Sequence, residues 1–178
     1  MNVFWSSGYH ATSLPDLLEA TQLSRGSLYA AFGDKHGLFL QALDRYIADA
    51  LARLDVELDP QKSPLVGVRT CLDGYIARTT GAPGKRGCLL VATAMELSGQ
   101  DPEVASRIRR FFAELQSRLT SALTRAKAEG EVAADVDPGA FARLLVCLVE
   151  GMRVVGKTGL EQETSEAMVQ ALLDRIDL

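Results

Sequence analysis

The stretch from Asp101 to Gly130 constrains the fold of this chain most. Asp101-Pro102-Glu103 supplies an N-cap, a proline where its missing N–H costs little, and an acidic first turn. Val104, Ile108, Phe111, Leu115, Leu119 and Leu123 then recur at three- and four-residue spacing until Gly130. At about 1.5 Å per residue such a helix is roughly 40 Å long, enough to span a domain. Nearly every other stretch between Gly or Pro punctuation carries the same period and strand alternation is almost absent, so the chain reads as all-α. At 178 residues, 47% of them hydrophobic and 24% charged, it can bury a core without disulfides or metals and is not a disordered composition. No apolar run approaches the roughly 18 residues of a membrane span, and Met1-Asn2-Val3-Phe4-Trp5 lacks the basic and apolar regions of a signal peptide. Cys71, Cys88 and Cys147, odd in number and far apart, suit neither a disulfide framework nor a zinc site and fit a reducing cytoplasm. Only His10 and His36 are available, so a histidine-rich metal site is excluded, and nothing calls for a cofactor.

Helix signals divide the chain. Ser13 caps a short helix with Pro15 and the capping-box Asp16, ending near Ala20. Thr21-Gln22-Leu23 reads as a tight turn, and Ser24 caps a second short helix to Phe32. Asp34 caps a long helix reaching about Leu58, with Phe39, Leu43, Tyr46, Ala50 and Leu54 on one face. Helices follow over about 65–79, stopped by Gly81-Ala82-Pro83-Gly84, then over about 87–98, 102–129, 138–155 and 165–176. The 138–155 helix is apolar nearly all round, which requires cover on every side. A homodimer built from the last two helices supplies that cover, with Leu144, Leu148, Met168 and Leu172 at the interface; a monomer with both helices central is the competing reading. Glu150 and Arg153, three apart on this helix, either pair with each other or face a partner; such a pair reads a polar ligand or fixes the dimer's register, and the dimer is the preferred assignment.

Two short helices joined by a three-residue turn, ahead of a long helix, have helix-turn-helix geometry. Leu17, Leu23, Leu28 and Phe32 clamp the pair, leaving Arg25, Ser27 and Tyr29 pointing away. In that geometry the start of the second helix lies in the major groove, where Arg and short polar side chains suit base edges and a Tyr hydroxyl suits phosphate. Gly26 lets the backbone approach a duplex closely.

Residues Gly8-Tyr9-His10-Ala11-Thr12-Ser13-Leu14, Asp16-Leu17 and Leu23-Ser24-Arg25-Gly26-Ser27-Leu28-Tyr29-Ala30-Ala31-Phe32-Gly33-Asp34-Lys35 resemble the TetR family of bacterial transcriptional repressors. The resemblance implies a three-helix helix-turn-helix domain over 1–46, its first helix incomplete, followed by a helical ligand-binding and dimerisation domain over 47–178. It implies that Ser13 and Ser24 anchor phosphates, Arg25 and Ser27 meet bases, and Tyr29 and Lys35 meet phosphates. Gln22 departs from the family by standing where Gly is usual, at a cost of about a kcal/mol if its φ is positive. The first 46 residues hold Arg25, Lys35 and Arg45 against Asp16, Glu19, Asp34 and Asp44, a thin supply of cations for a phosphate binder. Met1 reads as an internal methionine of a longer native protein, because the family's first helix is longer and has a basic tail.

The expected function is a ligand-released repressor that binds a palindromic operator as a homodimer. The alternative is a dimeric small-molecule-binding module without effective DNA binding. Tyr75, Thr93, Met95, Phe111, Phe112, Leu145 and Met152 are candidate walls for a small hydrophobic or amphipathic effector. No Gly-rich phosphate loop, nucleophile elbow or paired Cys/His set points to an enzyme.

Overall fold

A computed structural model describes residues 1–176 of the chain. In chain order the helices are α1 (Asn2–Ser7), α2 (Leu14–Thr21), α3 (Arg25–Phe32), α4 (Lys35–Glu57), α5 (Pro64–Thr79), α6 (Gly81–Arg86), α7 (Leu89–Leu97), α8 (Pro102–Ala128), α9 (Pro138–Val155) and α10 (Gln162–Leu173). A 3-10 turn at Gly156–Thr158 follows α9, and the described residues contain no strand. None of these helices is long and apolar enough to cross a membrane.

The local signals act as their chemistry dictates. Ser13 Oγ accepts the Asp16 N–H, and the Asp16 carboxylate accepts the Ser13 N–H, closing the capping box of α2. Asp101 Oδ1 accepts the N–H groups of Glu103 and Val104 at the start of α8. Asp137 Oδ1 does the same for Gly139 and Ala140 at the start of α9. Gln22 takes φ +57°, the left-handed conformation expected at that turn, and its side-chain amide donates to Glu19 O at 2.6 Å.

One expectation is completed and one is corrected. α5 ends at Thr79, as expected, and the Gly81–Gly84 run that follows also starts a further short helix, α6, with Pro83 in its first turn where no N–H is needed. Backbones touch here: a Cβ on Gly84 would lie 2.2 Å, and one on Gly156 2.3 Å, from Thr79 O. Leu23 is 37% exposed and does not join Leu17, Leu28 and half-buried Phe32 in the clamp.

The chain forms two compact units. One comprises Met1–Ala50 with Cys88–Arg109; the other comprises Leu51–Gly87 and the chain from Arg110 onward. The partition differs from a boundary at residue 46, because α7 and the first turns of α8 fasten to the N-terminal helices. His36 Nε2 lies 2.6 Å from Asp101 Oδ2, Arg107 Nε donates to Asp44 at 2.9 Å, and Tyr46 Oη lies 3.5 Å from Cys88 Sγ. Phe4, Leu17, Leu28, Phe39, Leu43, Val104 and Ile108 form the core of this head unit. In the second unit Val68, Leu72, Ile76, Leu115, Leu119, Leu123, Leu145 and Val149 are buried.

Candidate nucleic-acid interface

The head unit presents α3 almost bare. Leu28 is buried and Phe32 half-buried; every other residue of the helix is exposed, Tyr29 at 41%. Ser24 Oγ accepts the Ser27 N–H at 3.1 Å and lies 2.9 Å from Ser27 Oγ. No acidic residue occupies the first turn of α3, so its N-terminal partial positive charge is unopposed by its own side chains. A Cβ on Gly26 would meet nothing closer than Ser24 Oγ at 3.9 Å, so the fold itself does not demand glycine there.

Ser13 differs. Its hydroxyl and its N–H both donate to Asp16 Oδ2, at 2.6 and 2.8 Å. The hydrogen bond from the Ser13 hydroxyl, then that from its N–H, holds the Asp16 carboxyl below the usual carboxylate range. The α2 N-terminus therefore already carries its own anion. Lys35, in the first turn of α4, places Nζ 4.5 Å from the centroid of the Tyr9 ring and 3.5 Å from His10 O.

A second polar site occupies the other unit, where sequence reading placed effector walls. Phe111, Leu145, Met152 and Tyr75 are buried and Phe112 is half-buried against Phe111. Thr93 is buried too, but within the head unit. Met95 is 85% exposed and is corrected: its side chain faces solvent. Glu150 and Arg153 are also corrected, for they turn into the unit rather than out toward a partner. The Arg78 and Arg153 guanidiniums lie 4.8 and 5.0 Å from the Tyr75 ring centroid, and Arg78 donates to Glu57 at 2.8 Å. Glu150 Oε2 and Arg78 Nε are buried without a hydrogen-bond partner among the described residues. Cys147 is exposed on the outer face of α9.

Burial raises the Glu150 pKa from its ordinary 4.5 to about 6, with Arg153 pulling the other way. The folded chain thus holds this proton more tightly than the unfolded chain. Stability is then expected to fall as pH rises from about 4.5 through about 6, by at most about 2 kcal/mol. Glu150→Gln should flatten that part of the curve. Urea titrations at pH 4.5, 5.5 and 7 check this, and parallel curves for the two chains would refute it.

Residues 1–42 match the family described as "Bacterial regulatory proteins, tetR family", and residues 64–172 the one described as "Tetracyclin repressor-like, C-terminal domain". The chain is 32% identical over 167 residues to the HTH-type transcriptional repressor ComR of Escherichia coli (strain K12), a match covering 92% of this chain and 78% of ComR. Its structure is similar to that of a TetR transcriptional regulator from Chloroflexus aurantiacus J-10-FL, with TM-score 0.87 and 25% identity over 99% of this chain and 91% of that one. It is also similar to a cysteine-substituted form of the TetR family regulator CifR solved with 26-base-pair operator DNA, with TM-score 0.83 and 33% identity over 98% of this chain and 91% of that one. This chain belongs to the TetR family of DNA-binding transcriptional regulators.

Proposed function

We propose that the chain is a ligand-released repressor that binds a two-fold symmetric operator as a homodimer, with α3 as the reading helix. The observation that carries this reading is α3 itself: a helix exposed on nearly all sides, capped by Ser24 and free of acidic residues in its first turn. Arg25 and Ser27 meet base edges, with Gly26 allowing close approach; Ser24 and Tyr29 meet phosphates, and Lys35 adds a phosphate contact from α4. Ser13 contributes least, because a phosphate there must contend with Asp16. CifR, captured on operator DNA, supports the same use of the fold.

The effector is small and amphipathic, bound in the second unit. Buried Phe111, Leu145 and Met152 favour an apolar body, and the Tyr75–Arg78–Arg153–Glu150 group favours a polar end that donates to Glu150 Oε2 and accepts from Arg78 Nε. Because α4 and α8 each run from one unit into the other, an effector that prefers one tilt of these helices shifts the population between DNA-competent and released forms.

The test is selection of bound fragments from a random duplex pool at two salt concentrations. Enrichment of a two-fold symmetric site, weakened by salt, is expected. No enrichment would overturn the repressor reading and leave the dimeric small-molecule-binding module in its place.

A further inference from the structure

We propose that Glu96, on α7 and outside the helix-turn-helix, positions Lys35 for phosphate binding by clamping the turn between α1 and α2. Its carboxylate accepts two successive backbone N–H groups, Tyr9 to Oε2 at 2.9 Å and His10 to Oε1 at 2.7 Å. Both are charge-assisted hydrogen bonds, among the stronger ones a protein makes. The preceding residue is fitted to this arrangement. Gly8 has φ +80°, and a Cβ there would lie 2.9 Å from Glu96 Oε2 and 3.3 Å from Oε1. Thr12, buried, donates its hydroxyl to Gly8 O at 2.6 Å and closes the turn from the other side.

The two residues whose N–H groups Glu96 holds are the two that hold Lys35. Tyr9 offers its ring face to Nζ, and His10 its carbonyl oxygen. The Tyr9 ring is itself fixed, 4.9 Å from Phe39 and 6.2 Å from Phe4. A cation in the first turn of a helix opposes the helix dipole and so needs a compensating partner. Here that partner is a turn pinned by Glu96. The route runs from the Glu96 carboxylate to the Tyr9 and His10 amides, from these residues to the Lys35 ammonium, and from there to a phosphate.

The inference rests on the DNA-binding reading above and makes a prediction opposite in sign to simple electrostatics. Neutralising an acid in a DNA-binding unit should tighten DNA binding if the acid is only a nearby charge. If Glu96 is a positioning residue, Glu96→Gln, which keeps one acceptor of two, should weaken it. Glu96→Asp, which keeps the charge but shortens the reach, should do the same.

The experiment is fluorescence anisotropy of the duplex recovered by selection with the wild-type chain, titrated with KCl. It compares wild type, Lys35→Met, Glu96→Gln, Glu96→Asp and the Lys35→Met/Glu96→Gln double variant. Each phosphate contact contributes about 0.9 to the slope of log affinity against log salt concentration. Lys35→Met should lower the slope by about that much for each Lys35 engaged. Either Glu96 variant should lower it by a similar amount, with affinity down about five- to tenfold. The double variant should fall no further than Lys35→Met. Unchanged or tighter binding by the Glu96 variants, weaker binding at an unchanged slope, an additive double variant, or no slope change in Lys35→Met would each overturn the proposal. Failure of the wild-type chain to recover any duplex would instead overturn the DNA-binding reading, and is seen before any variant is made.

Discussion

Arg25→Ala and Tyr29→Ala chains are expected to fold as the wild type does and to lose about 10- to 100-fold in affinity for the selected operator. Folding should be spared because both side chains are exposed and the cap of α3 is made by Ser24 and Ser27, not by them. Alanine is also the best helix former, so neither change penalises α3. The two variants should fail differently. Arg25 is assigned to a base edge, so Arg25→Ala should relax preference at one position of each half-site while leaving binding to a scrambled duplex nearly intact. Arg25→Lys should behave similarly, since an ammonium lacks the planar fork of a guanidinium. Tyr29 is assigned to a phosphate, so Tyr29→Ala should weaken selected and scrambled duplexes alike. Competition assays with both duplexes separate the outcomes. Unchanged affinity in both alanine variants would mean that α3 is not the reading helix.

What the sequence made legible follows how local each signal is. The α2 cap needs only Ser13 and Asp16, the α8 start only Asp101, Pro102 and Glu103, and the exposed side of α3 only the eight residues that build it. Features built by residues far apart in the chain left no trace. Glu96 reaches Tyr9 and His10 across 87 and 86 positions, and nothing around Glu96 marks it as other than a solvated acid on a short helix. The attachment of α7 and the start of α8 to the N-terminal helices was not legible for the same reason, because the contacts of Asp101, Arg107 and Cys88 with α4 are all long-range. On α9 the difficulty was phase. A helix apolar on every side offers no polar stripe to say which face points inward, so Glu150 and Arg153 read as facing a partner. The packing turns both into the unit. In α6, Gly84 makes a close backbone contact with Thr79, which no local pattern announces.

Gly151→Glu is expected to break a homodimer without harming the single chain. The inner face of α9 is settled: Phe141, Ala142, Leu145, Val149 and Met152 are buried within the unit. The outer face leaves Leu144 and Val154 each 55% exposed, with Cys147 and Gly151 between them at helical spacing. Met168 on α10 is 40% exposed. An apolar seam that includes a glycine suits a partner helix approaching closely, and a stable homodimer must bury on the order of 1,200–2,000 Å² or more. In the single chain, a Cβ at Gly151 meets nothing within 4 Å. Replacing a mid-helix glycine there should stabilise α9 by up to about 1 kcal/mol. In a dimer the same change puts a carboxylate into an apolar seam, with no partner to offset its desolvation. The two states thus respond with opposite signs, which separates lost association from lost folding. Sedimentation velocity at micromolar concentration should show a dimer for wild type and a monomer with an undiminished melting temperature for Gly151→Glu. Leu144→Glu should dissociate in the same way. Operator affinity should then fall about 100-fold or more, because the second head no longer binds as a tethered neighbour of the first. A Gly151→Glu chain that remains dimeric would remove α9 from the interface.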